Sequence, residues 1–121
     1  YTSYCVGVIG VSKDQESHHV LGTDSEGNIH AYARLVPKGI SYPEYNSIGR
    51  VITSKDYRGK GEGKRLMQES IKGIKKLYPQ ESTKISAQVY ALPFYNSLGF
   101  EETNAERYDE DGIPHAAMIL K

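Results

Sequence analysis

The feature that most restricts the fold of this chain is a run of alternating glycines between a strand pattern and a helical pattern. Gly59, Gly61 and Gly63 follow the β-branched run "IGRVITS" and precede apolar residues at helical spacing. Glycine is unfavourable at a helix start unless the backbone needs unusual angles or something approaches it closely. Successive N–H groups at such a start form a pocket for an anion, which the helix dipole favours further. The segment therefore predicts a phosphate-binding loop, surrounded by the basic residues Arg58, Lys60, Lys64 and Arg65.

Two common phosphate loops do not fit this segment. The Walker loop requires Ser or Thr after its Gly-Lys pair, and here Arg65 follows Gly63 and Lys64. The dinucleotide fingerprint requires a third glycine at the position that Lys64 occupies. What remains is the pattern Arg58-x-x-Gly61-x-Gly63. A tight strand-to-helix turn with a solvated basic rim is the alternative that these residues leave open.

The rest of the chain reads as strands with one further, short helix. Leu66, Met67, Ile71, Ile74 and Leu77 mark one face of the helix that the glycines open. In chain order the sequence predicts a strand-like opening (1–11), a hairpin (18–24 and 29–36), a loop (37–47), a strand (48–54), the helix (61–78, ended by Pro79), a strand (83–89), a short helix (91–99), and two closing strands (100–108 and 115–121) around a turn (109–114). This order predicts a mixed α/β fold.

Length and charge narrow the class of protein. A chain of 121 residues predicts one domain, spanning 1–121. Lys plus Arg and Asp plus Glu both number 15, so no overall field attracts nucleic acid or a membrane surface. The single cysteine, Cys5, excludes an intrachain disulfide and fits a reducing compartment. With no apolar run long enough to span a membrane and no signal peptide, we expect a cytoplasmic protein.

Two motifs together resemble one family. The pattern at Arg58 resembles the pyrophosphate loop of the GNAT N-acetyltransferases, [Q/R]-x-x-G-x-[G/A]. Downstream, "QVYALPFYNSLGF" resembles their second motif, a short helix with Ala91, Tyr95, Gly99 and Phe100 at the matching positions. The segments "AYARL", "IGRV", "SAQ" and "YDEDGIPH" resemble the ElaA-like branch more closely. The resemblance covers roughly residues 13 to 121.

The resemblance implies the GNAT acyl-CoA N-acyltransferase fold, with a mixed sheet. That fold normally begins with a strand and one or two helices, which supply part of the acceptor-side wall. Here "VGVIGV" does not resemble the polar segment expected before "KDQESHHVL". We therefore expect a domain that is N-terminally incomplete and lacks that strand and those helices.

The resemblance also implies acetyl-CoA as co-substrate and a set of residues that hold it. The backbone of Val51, Ile52 and Thr53 would pair with the pantetheine arm in a V-shaped opening between "VITS" and "KISAQ", produced by a bulge in the first of these strands. A backbone N–H near Ile52 would face the acetyl oxygen, and the Gln88 amide would lie near the pantetheine. The pyrophosphate would be bound by the loop residues Arg58, Gly59, Lys60, Gly61, Glu62, Gly63 and Lys64.

Tyr95 is the predicted general acid. A phenol with an ordinary pKa of about 10 stays protonated at neutral pH and donates to a departing thiolate. The spacing of Leu92, Tyr95 and Leu98 leaves open that Tyr95 only packs as an aromatic side chain. The motif match favours the catalytic role and also places Tyr95 among the cofactor-binding residues.

The general base has several candidates. Imidazole titrates near neutral pH, so His115 and His30 are both candidates, and a water relay without a dedicated base is a third. His115 is the catalytic residue that we predict beside Tyr95. No metal site is predicted, because the adjacent His18 and His19 point to opposite faces of a strand.

The function expected from the resemblance is transfer of an acetyl group from acetyl-CoA to a primary amine, carried by a small molecule or a protein. One alternative is a module that binds CoA or acetyl-CoA without transferring the acetyl group. Another is a nucleic-acid-binding domain built on the basic loop, which the balanced charge disfavours. We expect no nucleic acid or membrane partner, and the resemblance allows a homodimer.

Overall fold

The computed structural model describes residues 3–8, 18–54 and 61–121. Within these ranges the elements follow the predicted mixed α/β order, except that three strands, and not two, close the chain. The elements are β1 (Ser3–Val8), β2 (His18–Thr23), β3 (Ile29–Val36), β4 (Ser47–Thr53), α1 (Glu62–Leu77), β5 (Thr83–Gln88), a 3₁₀ turn (Val89–Ala91), α2 (Leu92–Ser97), β6 (Glu101–Glu102), β7 (Tyr108–Glu110) and β8 (Ile113–Leu120).

The first sheet is antiparallel, in the order β1-β2-β3-β4. The strand-like opening is therefore a paired strand, β1, and no helix precedes β2 within the described residues. The predicted hairpin of β2 and β3 is confirmed. Its turn is held by Asp24, whose carboxylate accepts hydrogen bonds from the backbone N–H groups of Glu26 and Asn28 at 2.9 Å each.

Helix α1 packs across this sheet and buries its apolar face. Leu66, Met67 and Ile74 have no exposed surface, and they lie in one core with Ala33 and Leu35 of β3. The helix comes close to the sheet at Gly73, where an added Cβ would lie 3.2 Å from the Leu35 side chain. The predicted helix over 61–78 is thus confirmed to within one residue at each end.

The second sheet pairs β5 with β8, and β8 in turn with β6 and β7. Here the predicted turn over 109–114 is wrong, because only Asp111 and Gly112 form the turn between β7 and β8. Both have positive φ, 53° and 77°, the backbone of a two-residue hairpin turn whose twist matches that of its strands. The predicted strand over 100–108 is wrong as well, since only Glu101–Glu102 and Tyr108 of it are paired.

The short helix lies where it was predicted, although it begins one residue later and ends two residues earlier than 91–99. Pro93 lies in its first turn, and Gly99 follows its last residues with a φ of 103°, which ends the helix. Phe100 then turns inward and is 1% exposed. The Phe100 N–H donates to the Tyr95 carbonyl at 3.1 Å. This hydrogen bond and the buried Phe100 side chain together fix the position of α2.

Candidate active site

The two sheets meet at one point and separate beyond it. Asn46, just before β4, forms a parallel bridge with Thr83 of β5, and its carbonyl accepts the Lys84 N–H at 2.9 Å. The Thr83 hydroxyl donates to the buried Asn46 side-chain oxygen at 2.6 Å. Among the described residues this is the only bridge between β4 and β5. The strands therefore form the V-shaped opening that the resemblance implied.

A bulge in β4 accompanies this separation. Tyr32 and Arg34 of β3, two residues apart, pair with Ile52 and Gly49 of β4, three residues apart. The extra residue of β4 lies at positions 50–51, opposite Ala33, and leaves part of the strand outside the regular pairing. The bulge predicted for this strand is confirmed.

A cleft of about 270 Å³ occupies the opening. Four residues of the predicted site line it: Val51 of β4, Gln88 of β5, Tyr95 of α2 and His115 of β8. Its other walls come from the two strands, the 3₁₀ turn and Met67 of α1. The remaining lining residues are Ile48, Gly49, Met67, Ile85, Ser86, Tyr90 and Ala91.

Two predicted residues of β4 lie outside this cleft. Ile52 is 57% exposed and lines a separate shallow groove with His30 and Tyr32. Thr53 pairs with Ala31 at the end of the strand. The alternative base His30 is therefore not among the residues that line the cleft with Tyr95 and His115.

The glycine loop ends at the start of α1. Gly61 precedes the helix with a φ of 78°, which a residue with a side chain rarely adopts, so the turn itself requires glycine there. Gly63 has no such strain, and no described atom lies within 4 Å of a Cβ built on it. Among the described residues, no side chain caps the helix at Gly61. Arg58, Gly59 and Lys60 lie outside the described residues.

The other two loop residues differ in their side chains. Lys64 is exposed in the first turn of the helix. The Glu62 carboxylate instead accepts a hydrogen bond from the Tyr4 hydroxyl at 2.6 Å, which ties the helix start to β1. Burial and the Glu62 carboxylate together raise the pKa of Tyr4 above its ordinary range.

Tyr95 is half-buried among aromatic rings. Its ring makes edge contacts with Phe94 and Phe100, with centroids 5.1 and 5.9 Å away. Burial, with a smaller contribution from the nearby Tyr90, raises the pKa of Tyr95 above 10. Its hydroxyl therefore stays protonated at neutral pH and is available as a proton donor.

His115 is 6% exposed and is held from two sides. Its Nδ1 lies 2.7 Å from the Ile113 carbonyl oxygen, which only accepts, so Nδ1 carries a proton and donates. Its Nε2 lies 3.3 Å from a carboxylate oxygen of Glu110. The ring of Tyr108 stacks on the imidazole at 6.1 Å and an angle of 19°.

Glu110 and Tyr108 were not among the predicted site residues. Both lie in β7, which the predicted turn over 109–114 excluded in part. The dipeptide Asp111-Gly112 was the signal available in the sequence, because Asp-Gly favours a two-residue hairpin turn. Such a turn pairs Glu110 with Ile113 and Tyr108 with His115, as the structure has them.

The family model described as an acetyltransferase (GNAT) domain matches residues 6–121, beginning before the residue 13 at which the sequence resemblance began. A UPF0039 protein of Synechocystis is 38% identical over 108 residues, which cover 89% of this chain and 69% of that protein. The protein ElaA of Escherichia coli is 36% identical over 103 residues, covering 85% of this chain and 65% of ElaA.

Solved structures give the same likeness. The crystal structure of Escherichia coli ElaA has a TM-score of 0.78 at 31% identity and covers 93% of this chain and 75% of its own. An acyl-CoA N-acyltransferase from Pseudomonas aeruginosa has a TM-score of 0.78 at 30% identity, covering 87% of this chain and 68% of its own.

Within the described residues, no helix is long and apolar enough to cross a membrane.

Proposed function

Because the chain belongs to the GNAT acetyltransferase family, we propose that it transfers an acetyl group from acetyl-CoA to a primary amine. One observation carries this proposal. A single cleft, at the point where β4 and β5 separate, is lined by an amide, a phenol and an imidazole, from Gln88, Tyr95 and His115. These groups suit a reaction in which one proton must be removed and another supplied.

The described residues fit acetyl-CoA at both ends of the proposed site. At Gly63, in the first turn of α1, no described atom lies within 4 Å of a Cβ built on the backbone, so no described contact requires a glycine. A phosphate that approaches this backbone closely would explain why the position has no side chain. The backbone N–H groups at the start of α1 suit the pyrophosphate because the helix dipole favours an anion there. The edge strands β4 and β5 suit the amide-containing arm.

The bound co-substrate would supply an acetyl thioester, and the chain would supply the proton transfers. Tyr95 would give its hydroxyl proton to the departing sulfur. Its raised pKa keeps that proton in place until it is needed, and its contacts with Phe94 and Phe100 hold the ring in one orientation. Gln88, beside His115, would hold the arm through its side-chain amide.

His115 would take up the proton that the amine must lose before it attacks. An amine that arrives as an ammonium ion has no electron pair for the thioester carbon. Nδ1 of His115 already donates to the Ile113 carbonyl, which leaves Nε2 as the nitrogen that accepts.

The test is a screen of the purified protein with acetyl-CoA against small amines, polyamines and lysine peptides. Free thiol and acetylated amine are both measured, and equal amounts over many turnovers are the expected result. A rise in melting temperature with acetyl-CoA, without transfer to any amine, would instead support the module that binds the co-substrate and transfers nothing. If neither binding nor transfer is observed, the proposed function is contradicted.

A further inference from the structure

The structure points to a role for Tyr4 of β1, which contacts the first residue of α1. We propose that Tyr4 is a positioning residue that holds the Glu62 carboxylate on the β1 side of α1, away from the phosphate groups of the co-substrate. This inference rests on the proposed function, because it concerns the pyrophosphate at the helix start. The contact between Tyr4 and Glu62 is present in the protein without any ligand.

A carboxylate at the start of α1 is unfavourable for the proposed ligand. Glu62 is the first residue of the helix, and the pyrophosphate would bind the backbone N–H groups of the same turn. In the ligand-free protein a negative side chain stabilises this end of the helix through the helix dipole. When phosphate groups bind there, the same charge repels them over about a Debye length, roughly 8–10 Å. The position of the Glu62 carboxylate therefore affects how tightly the pyrophosphate binds.

Tyr4 holds this carboxylate through a short, charge-assisted hydrogen bond. Its hydroxyl donates to an oxygen of Glu62 at 2.6 Å, within the range of about 2.5–2.7 Å that is typical of a hydroxyl bound to a carboxylate. The Tyr4 side chain is half-buried and packs against the main core. The Arg65 guanidinium lies over its ring, 5.2 Å from the centroid. Tyr4 thus contacts two oppositely charged side chains that lie about one turn apart on α1.

The strand order gives the direction in which the carboxylate is held. β1 and β4 are the two edges of the first sheet, with β2 and β3 between them. The cleft proposed for the arm of the co-substrate lies beside β4, so the pyrophosphate joined to that arm would reach α1 from the β4 side. Neighbouring strands lie about 4.8 Å apart, which separates the two edges by about 14 Å. Tyr4 therefore draws Glu62 toward the edge of the sheet opposite the cleft.

Strand β1 is itself held in place without a ligand. It pairs with β2 along its whole length, from Ser3 to Val8. It also packs under the middle of α1, where a Cβ added at Gly73 would lie 3.4 Å from the Val6 side chain. The Tyr4 hydroxyl is therefore in position before the co-substrate binds.

The affinity for coenzyme A, measured by isothermal titration, tests this role. Tyr4→Phe keeps the ring under Arg65 and removes only the hydroxyl. We expect binding to weaken by about threefold or more at low ionic strength, because the released carboxylate moves closer to the phosphates. The loss should shrink in about 1 M salt, where the Debye length is about 3 Å.

Tyr32→Phe is the matched control for the loss of a tyrosine hydroxyl. The Tyr32 hydroxyl lies 2.8 Å from Nδ1 of His19, in the same sheet as Tyr4. Its side chain projects from the face of β3 opposite Ala33, which lies in the core under α1. This variant should therefore keep the affinity of the wild-type protein for coenzyme A.

Glu62→Gln separates the effect of charge from a general loss of structure. It should raise the affinity for coenzyme A more in the Tyr4→Phe background than in the wild-type background, because only there is the carboxylate released toward the phosphates. A loss that Glu62→Gln does not restore, or equal affinity of the wild-type and Tyr4→Phe proteins, would overturn the positioning role alone. A wild-type protein that binds no coenzyme A would contradict the proposed function, and this role with it.

Discussion

Gln88 and His115 are direct partners across the pairing of β5 and β8, and both line the cleft. Directly opposed residues of an antiparallel pair share a face and have Cβ atoms about 4.5–5.5 Å apart. The amide and the imidazole are therefore placed by sheet register, and no loop conformation is needed to bring them together. A site built on paired strands holds its groups in a constant geometry, which proton transfer requires.

Gly63→Val should weaken acetyl-CoA binding by at least about tenfold, or 1.4 kcal/mol, with little change in stability. No described atom lies within 4 Å of a Cβ at this position, so the fold should tolerate the new side chain, which would fill the space that the pyrophosphate would use. Isothermal titration and thermal unfolding measure the two effects.

Two other glycines, one just before α1 and one in the middle of this helix, serve as controls for that substitution. Gly61→Ala should cost about 1–2 kcal/mol of stability, because φ is 78° there. Gly73→Ala places its Cβ 3.2 Å from Leu35, on the face of α1 that packs on the sheet, and should leave acetyl-CoA affinity unchanged. Equal affinity in the Gly63 and Gly73 variants would mean that Gly63 has no part in binding acetyl-CoA.

Tyr95→Phe should lower kcat by about 10²-fold and leave acetyl-CoA affinity nearly unchanged. The phenyl ring keeps the contacts with Phe94 and Phe100, so only the hydroxyl is removed. Because the pKa of Tyr95 is raised, the wild-type enzyme should also keep this proton donor up to pH values above 10.

An acetyl donor with a more acidic thiol is the control for the role of the hydroxyl. Such a leaving group needs less help from a proton, so it should partly restore the rate of the Phe variant. If the Phe variant has the wild-type rate with acetyl-CoA under conditions in which chemistry limits turnover, Tyr95 is a packing residue and not the general acid.

Thr83→Val should destabilise the protein by about 1–3 kcal/mol, because it leaves a buried acceptor without its donor. The Thr83 hydroxyl donates to the side-chain oxygen of Asn46, which is 1% exposed, at the point where the two sheets meet. Urea unfolding measures the loss. Ser97→Ala removes an exposed hydroxyl that donates to a surface carbonyl, and it should change stability by less than about 0.5 kcal/mol. Equal losses in the two variants would show that the Asn46–Thr83 contact does not secure the junction.

Tyr4→Phe should make the protein less sensitive to alkaline pH. Burial and Glu62 raise the folded-state pKa of Tyr4, so its neutral form stabilises the fold below an unfolded pKa of about 10. This stability is lost as the pH rises above that value. Wild-type protein should therefore lose more free energy of unfolding between about pH 9 and 11 than the Phe variant does. Parallel pH dependence of the two proteins would contradict the coupling.

Periodicity and turn residues in the sequence predict most of the first sheet and both helices. The apolar spacing of Leu66 to Leu77 fixes the buried face of α1, and Pro93 and Gly99 mark the ends of the short helix. The motif around Tyr95 also predicts that this side chain belongs to the site, and Tyr95 lines the cleft. These features depend on local residue chemistry, which a sequence displays directly.

The partners of His115 depend on pairing across a hairpin, which the sequence displays only through its turn. Because "DEDGIP" is predicted as one long turn, Glu110 is not assigned to a strand, and the prediction misses its contact with the imidazole. The bulge in β4 likewise decides that Val51 lines the cleft while Ile52 faces the other side of the sheet. A shift of one residue in a strand reverses the direction of its side chains, so such sites are the hardest to predict.

Backbone hydrogen exchange, with and without coenzyme A, tests most directly whether the cleft between β4 and β5 holds the co-substrate. Coenzyme A itself carries no acetyl group, so binding is read without turnover. We expect slower exchange in residues 48–53, in residues 61–65 at the start of α1 and in residues 85–91, with no change in β2. Protection confined to other segments, or none at saturating coenzyme A, would contradict the account.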